Sequence, residues 1–140
     1  MTWVRTSTLR EYCDPFKGCW PELDKPLTIE EVQACLDKGK EQEHKPFELS
    51  DWWCKGPRAS EIYRSKHIQK VAWFARHGFQ KPIDIDVGIP SMNCYVSWFV
   101  QDGNHRLAAA IFRQVTLQED PWIPLSVAGS VNYAKELNLW

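Results

Sequence analysis

Apolar and polar positions alternate between two periods along this chain. Ile29, Val32 and Leu36 recur at helical spacing behind Thr28-Ile29-Glu30-Glu31, a capping box in which hydroxyl and carboxylate satisfy reciprocal backbone donors. Leu27 can staple against Val32, and Gly39 supplies a stop, so the pattern predicts a helix over about 29–38. A second helix runs to His77 from Ser65 or Ser60, with Ile68, Val71, Ala72 and Ala75 on its apolar face and Gly78 at its end. Lys66 and Lys70, four apart, share the opposite face. Then the period changes to two. Ile83, Ile85 and Val87 alternate with Asp84 and Asp86, which predicts a strand over 81–87.

Gly88 to Asn93 reads as a turn leading into a strand from Tyr95 to Val100. After Asp102-Gly103-Asn104-His105-Arg106 an alanine-rich helix is expected from Leu107 to about Val115. Trp122 to Val127 is the last strand, Gly129-Ser130 a turn, and Val131 to Leu139 a short terminal helix. Phe47 to Trp53 reads as a short strand broken by Gly56-Pro57, and Lys38 to Lys45 as a solvated connector. Residues 1–26, rich in turn formers and aromatics, are expected to be mostly loop. The predicted class is α+β: a small mixed β-sheet with packed helices. Residues 1–44 form an N-terminal extension with one helix on the core of a 45–140 domain, in a single compact unit.

Composition adds three constraints. At 140 residues, 44% hydrophobic and 25% charged, the chain is an ordinary globular domain, and no apolar run approaches a membrane span. Five cysteines, Cys13, Cys19, Cys35, Cys54 and Cys94, show no C-x-x-C pair, so reduced thiols in a cytoplasm are expected. Cys13, Cys19 and His44 lack familiar zinc spacing. The eight tryptophans are spread over the whole chain, and Trp73 and Trp98, within periodic elements, are expected in the core.

The net charge of −1 conceals an asymmetry. Residues 22–51 hold nine acids and four bases, a net −5, whereas residues 55–81 hold seven bases against Glu61, a net +6. The basic stretch suits an anionic ligand or a nucleic-acid backbone; alternatively it pairs with the acidic N-terminal part.

The strongest chemical signal lies at residues 96–113. A strand that turns through Gly103 into a helix aims free backbone N–H groups at one spot, where the helix dipole favours an anion such as phosphate. Gly103 lets a ligand approach the main chain, while His105 and Arg106 add donors; the alternative is that Arg106 pairs with a carboxylate and His105 caps the helix.

This stretch resembles the G-x-x-R or G-x-H-R box of the ParB/sulfiredoxin superfamily. Residues 68–78 followed by Lys81-Pro82-Ile83-Asp84-Ile85 resemble that family's helix, glycine and Pro-Ile strand, and Trp122-Ile123-Pro124-Leu125-Ser126-Val127 its closing strand. Phe47 to Trp52 resembles its first strand, so the resemblance covers about residues 45–128. It implies a nucleotide pocket in which Gly103, Asn104, His105 and Arg106 hold phosphates, with Lys70 and Lys66 contributing from the preceding helix. Asp102, a carboxylate just before the glycine, would hold Mg²⁺ or act as a base, the alternative being a turn or cap role; Asp102 and His105 are the expected catalytic residues of an enzyme.

Two departures narrow the function. Sulfiredoxins need a cysteine where Asn104 stands, and the eleven residues after Gly129 are too few for the helix-turn-helix of the partition proteins. The resemblance then implies a stand-alone member, of a kind often encoded on phages or plasmids. Its expected activity is Mg²⁺-dependent NTP hydrolysis or phosphoryl transfer; the alternatives are a nuclease or nucleic-acid backbone binder, and a non-catalytic binding or inhibitory module.

Overall fold

Ile83, Ile85 and Val87 are almost wholly buried while Asp84 and Asp86 are half-buried, as a strand with one covered face requires. In the computed structural model, which describes residues 1–44 and 59–140, this strand belongs to a four-stranded mixed sheet. The strands are β1 (Thr2–Arg5), β2 (Ile83–Asp86), β3 (Val100–Asp102) and β4 (Trp122–Ala128), in the order β1-β4-β2-β3. β4 runs antiparallel to β1, with Val4 opposite Ile123, and parallel to β2, with Ile85 opposite Val127. β2 and β3 pair antiparallel, with an irregularity between Asp84 and Ile85.

Among the described residues five α-helices accompany the sheet: α1 (Thr6–Arg10), α2 (Ile29–Asp37), α3 (Ala59–His77), α4 (Asn104–Leu117) and α5 (Val131–Glu136). α4 lies between two cores. Leu107, Ala110 and Ile111 join the sheet residues Ile83, Ile85, Ile123 and Leu125, whereas Ala108, Ala109 and Phe112 join Val32 of α2 and Val71, Ala72 and Ala75 of α3. Every residue from His105 to Phe112 is buried, and a helix covered on two faces needs apolar or small side chains nearly all round. The alanines of α3 and α4 let these two helices approach closely. Among the described residues no helix is long and apolar enough to cross a membrane.

The capping box of α2 forms in full: Thr28 accepts from the Glu31 N–H, and Glu31 accepts from the Thr28 N–H. Leu27 and Val32 are buried in one cluster, and Gly39 ends the helix at φ +63°. Gly78, at φ +74°, ends α3 by donating to the Phe74 carbonyl. The strand expected over 81–87 is observed over Ile83–Asp86, and the one expected over 122–127 over Trp122–Ala128.

Four expectations are corrected. Residues 1–26 hold more than the one short element expected in a loop: Thr2–Arg5 is the edge strand of the sheet, and α1 packs on α4. The N-terminal segment thus contributes a strand to the sheet and a helix to its packing. The strand expected over 95–100 is confined to Val100–Asp102; Tyr95 is 72% exposed, and residues 88–94 form a loop closed by an Ile89–Cys94 bridge. The aromatics Trp98 and Phe99 instead pack half-buried on the edge of the sheet core. α4 begins at Asn104, not Leu107, because Gly103 turns the chain at φ +112°. None of the six described tryptophans is buried; Trp73 and Trp98 are half-buried. The expected strand at 47–53 lies outside the described residues.

Candidate active site

The end of α3, the Gly78–Lys81 turn and the β3–α4 junction enclose a cleft of about 700 Å³. Its floor is the start of α4. Gly103 is the N-cap, no side chain caps the helix, and the first intrahelical bond runs from the Leu107 N–H to the Gly103 carbonyl at 2.9 Å. The N–H groups of Asn104, His105 and Arg106 thus belong to the first turn, where no intrahelical carbonyl can accept from them. A side chain at residue 103 would be strained at this φ, and its Cβ would sit 3.1 Å from both Arg106 and Ile83. Glycine here joins strand to helix and leaves the cleft floor as bare main chain.

Arg106 does something other than what its motif position suggests. Its guanidinium is buried, with Nη1 donating to the carbonyls of Lys81 at 2.9 Å and Pro82 at 2.6 Å. Nη2 lies 3.3 Å from Asp102 Oδ2. Burial lowers its pKa from the usual arginine value, and Asp102 works in the opposite sense. Arg106 is a strut that ties the entry to β2 onto α4, close to the alternative of a carboxylate pair. It lines the cleft, but two of its donors serve main-chain carbonyls.

Asp102 stands at the rim, its Oδ2 shared between Arg106 and the exposed Lys81, whose Nζ is 3.4 Å away. A carboxylate already neutralised by two cations is a weak magnesium ligand. No group of three His, Cys, Asp or Glu side chains that could hold a metal occurs among the described residues. These residues do not fit a resident metal, and a magnesium ion would have to arrive with a polyphosphate substrate.

His105 is the most constrained polar group of the site. Its Nε2 lies 2.8 Å from His67 Nδ1, and His67 Nε2 lies 2.6 Å from Glu22 Oε1. Trp20 covers both imidazoles, with ring centroids 4.7 Å from His67 and 4.9 Å from His105. Burial pushes His105 well below the usual imidazole range, and the charges of His67, Lys70 and Arg106 add to this. Burial also lowers His67, with Glu22 offsetting part of the effect.

Lys70 is buried in the cleft wall, donating to the Glu43 carbonyl at 3.1 Å. Lys66, one turn earlier, is half-buried and does not belong to the described lining. Motif reasoning missed Glu22, His67, Trp20 and Lys81. His67 and Lys70 are three residues apart on a helix, a spacing that puts both on one face, so His67 carried a signal. Glu22 and Trp20 come from an aperiodic segment that carried none. The cleft also has an aromatic wall of Trp73, Phe74 and Phe79.

Part of the expected asymmetry of charge is met within the fold. Arg64 pairs with Glu31 and Arg76 with Glu41, joining the basic stretch to the acidic one. The four described thiols, Cys13, Cys19, Cys35 and Cys94, stand apart from the described cleft lining. Cys13 and Cys35 are buried, and Cys19 is pushed up to about 12, chiefly by burial and secondarily by Glu22. Comparison of the chain with protein-family models, curated proteins and solved structures finds no match.

Proposed function

We propose that the cleft binds the phosphates of a nucleoside triphosphate, in keeping with the resemblance to the ParB/sulfiredoxin superfamily, and catalyses hydrolysis or phosphoryl transfer from its magnesium complex. The observation that carries this reading is a convergence on one cavity. The N–H groups of the first turn of α4, the ammonium groups of Lys70 and Lys81, and an aromatic wall all meet there. An anion at a helix start gains from the dipole and from amides that point at it, and lysines balance its remaining charge. Trp73 and Phe79 give the cleft an aromatic surface against which a base can pack. Phosphoryl transfer asks mainly for positioning and charge compensation, which a small set of groups can supply.

The magnesium ion is part of the substrate in this reading. Arg106 acts indirectly, by holding the α4 start against β2. A nucleic-acid role would draw on the basic stretch, but Arg64 and Arg76 are engaged with acids of the same chain.

The test is calorimetric titration with the magnesium complexes of ATP, CTP and GTP. Binding of at least one is expected, weakened by Lys70→Ala and by Lys81→Ala by roughly 10-fold each, the size of one lost charge-assisted contact. No heat and no thermal shift with any of them contradicts the reading. Turnover of the bound nucleotide separates an enzyme from a binding module.

A further inference from the structure

We infer that Asp102 is a specificity residue that selects ligands by charge: it turns free polyanions away from the start of α4 and admits a nucleoside triphosphate as its magnesium complex. This rests on the nucleotide reading above and gives Asp102 a role other than metal ligand or base.

Asp102 is the last residue of β3 and directly precedes Gly103, the N-cap of α4. Among the described residues of the cleft lining, three cationic side chains, Lys70, Lys81 and Arg106, stand against two acidic ones, Glu43 and Asp102. Asp102 is the acid at the helix start. Its Oδ2 lies 3.3 Å from Arg106 Nη2 and 3.4 Å from Lys81 Nζ. The same Nη2 is 3.1 Å from the point where a Cβ on Gly103 would stand. Carboxylate, guanidinium and N-cap thus share one corner of the cleft, next in the chain to the first-turn amides.

This corner acts on a ligand through charge. Arg106 is fixed by the Lys81 and Pro82 carbonyls on Nη1, so its guanidinium does not turn to follow an anion. Asp102 sets its full negative charge against the fields of Arg106 and Lys81 where a phosphate would lie. The repulsion acts over several ångströms whichever way the carboxylate turns, and it grows in proportion to the charge of the ligand. The amide hydrogen bonds of the helix start show no such growth. Magnesium neutralises about half the charge of a triphosphate, so it relieves the repulsion while leaving phosphate oxygens for the amides. The Asp102 side chain is 57% exposed, so solvent and salt screen the effect, and a discrimination of roughly 10-fold is expected.

A metal ligand and a charge filter predict opposite results for one substitution. Asp102→Asn keeps the size of the side chain and an acceptor for Arg106 while removing the charge. If Asp102 bound the metal, this change would weaken the magnesium complex. As a filter, its loss strengthens the free nucleotide.

The experiment is calorimetric titration of wild type, Asp102→Asn and Asp102→Glu with ATP, CTP and GTP, each with excess magnesium and again with EDTA. Wild type is expected to bind the magnesium complex roughly 10-fold more tightly than the free nucleotide. Asp102→Asn should close that gap by binding the free nucleotide roughly 10-fold more tightly, and Asp102→Glu, which retains the charge, should keep it. Weaker binding of the magnesium complex by Asp102→Asn with the free nucleotide unchanged overturns the filter. So do unchanged affinities for both forms, or a glutamate variant that behaves like the asparagine one. If wild type binds neither form but Asp102→Asn binds the free nucleotide, the filter stands and the nucleotide reading of wild type fails. If none of the three proteins binds either form, both fail.

Discussion

Arg106 shows how a residue's motif position and its physical role can part. Its guanidinium is buried, and three contacts with Lys81, Pro82 and Asp102 account for its orientation. Removing it leaves two main-chain carbonyls without their donor, so Arg106→Ala is expected to destabilise the fold by about 3 kcal/mol in denaturant melts. Lys81→Ala, at an exposed side chain, should cost no more than about 0.5 kcal/mol in the same melts. Equal and small losses would mean that Arg106 is no strut. Gly103 was legible as a turn between an apolar run and an alanine-rich helix. The sequence could not separate main-chain donors from side-chain ones, because that depends on where the Lys81–Pro82 carbonyls come to lie. For the same reason Glu22 and Trp20 were invisible: only the folded chain brings them to His67.

Elements with a strict period were legible, and elements built from aromatics were not. α2, the end of α3, β2 and β4 each carry a repeat or a stop that sets their limits. The run from Tyr95 to Phe99 looks like a strand by composition, yet Tyr95 is exposed, Trp98 and Phe99 pack on the sheet core, and the strand begins at Val100. β1 is too short to show a period, and its pairing with β4 spans almost the whole chain.

The join between α2 and α3 is electrostatic as well as apolar. Arg64 Nε donates to Glu31 Oε2 at 2.7 Å and Arg64 Nη2 to Glu31 Oε1, which holds the Glu31 carboxyl below the usual glutamate range. A carboxyl with a lowered folded pKa adds stability above its unfolded value and loses it as pH falls through the folded one. Wild type should therefore melt above Glu31→Gln at pH 7, and the two should converge in acid below the ordinary glutamate range. Glutamine keeps the capping box, so the difference isolates the ion pair. A gap that stays constant with pH contradicts this account.

At the scale of the whole molecule, α4 links the two halves of the structure. One of its faces closes the sheet core, another packs on α2 and α3, and its N-terminus forms the floor of the cleft. The mixed α+β class was readable from the order of periods along the chain. The layering was not, because it depends on which faces of an almost wholly apolar helix meet which partners. Glu22, His67, Lys70 and the α4 start come from three separate parts of the chain, and only this layering makes them one site. The most direct test of that site is a crystal structure with a non-hydrolysable nucleoside triphosphate and magnesium. The expected result is triphosphate density at the amides of Asn104 to Arg106, with Lys70 and Lys81 within reach and the base against Trp73 or Phe79. A nucleotide bound elsewhere, or a cleft left empty at saturating ligand, would contradict it.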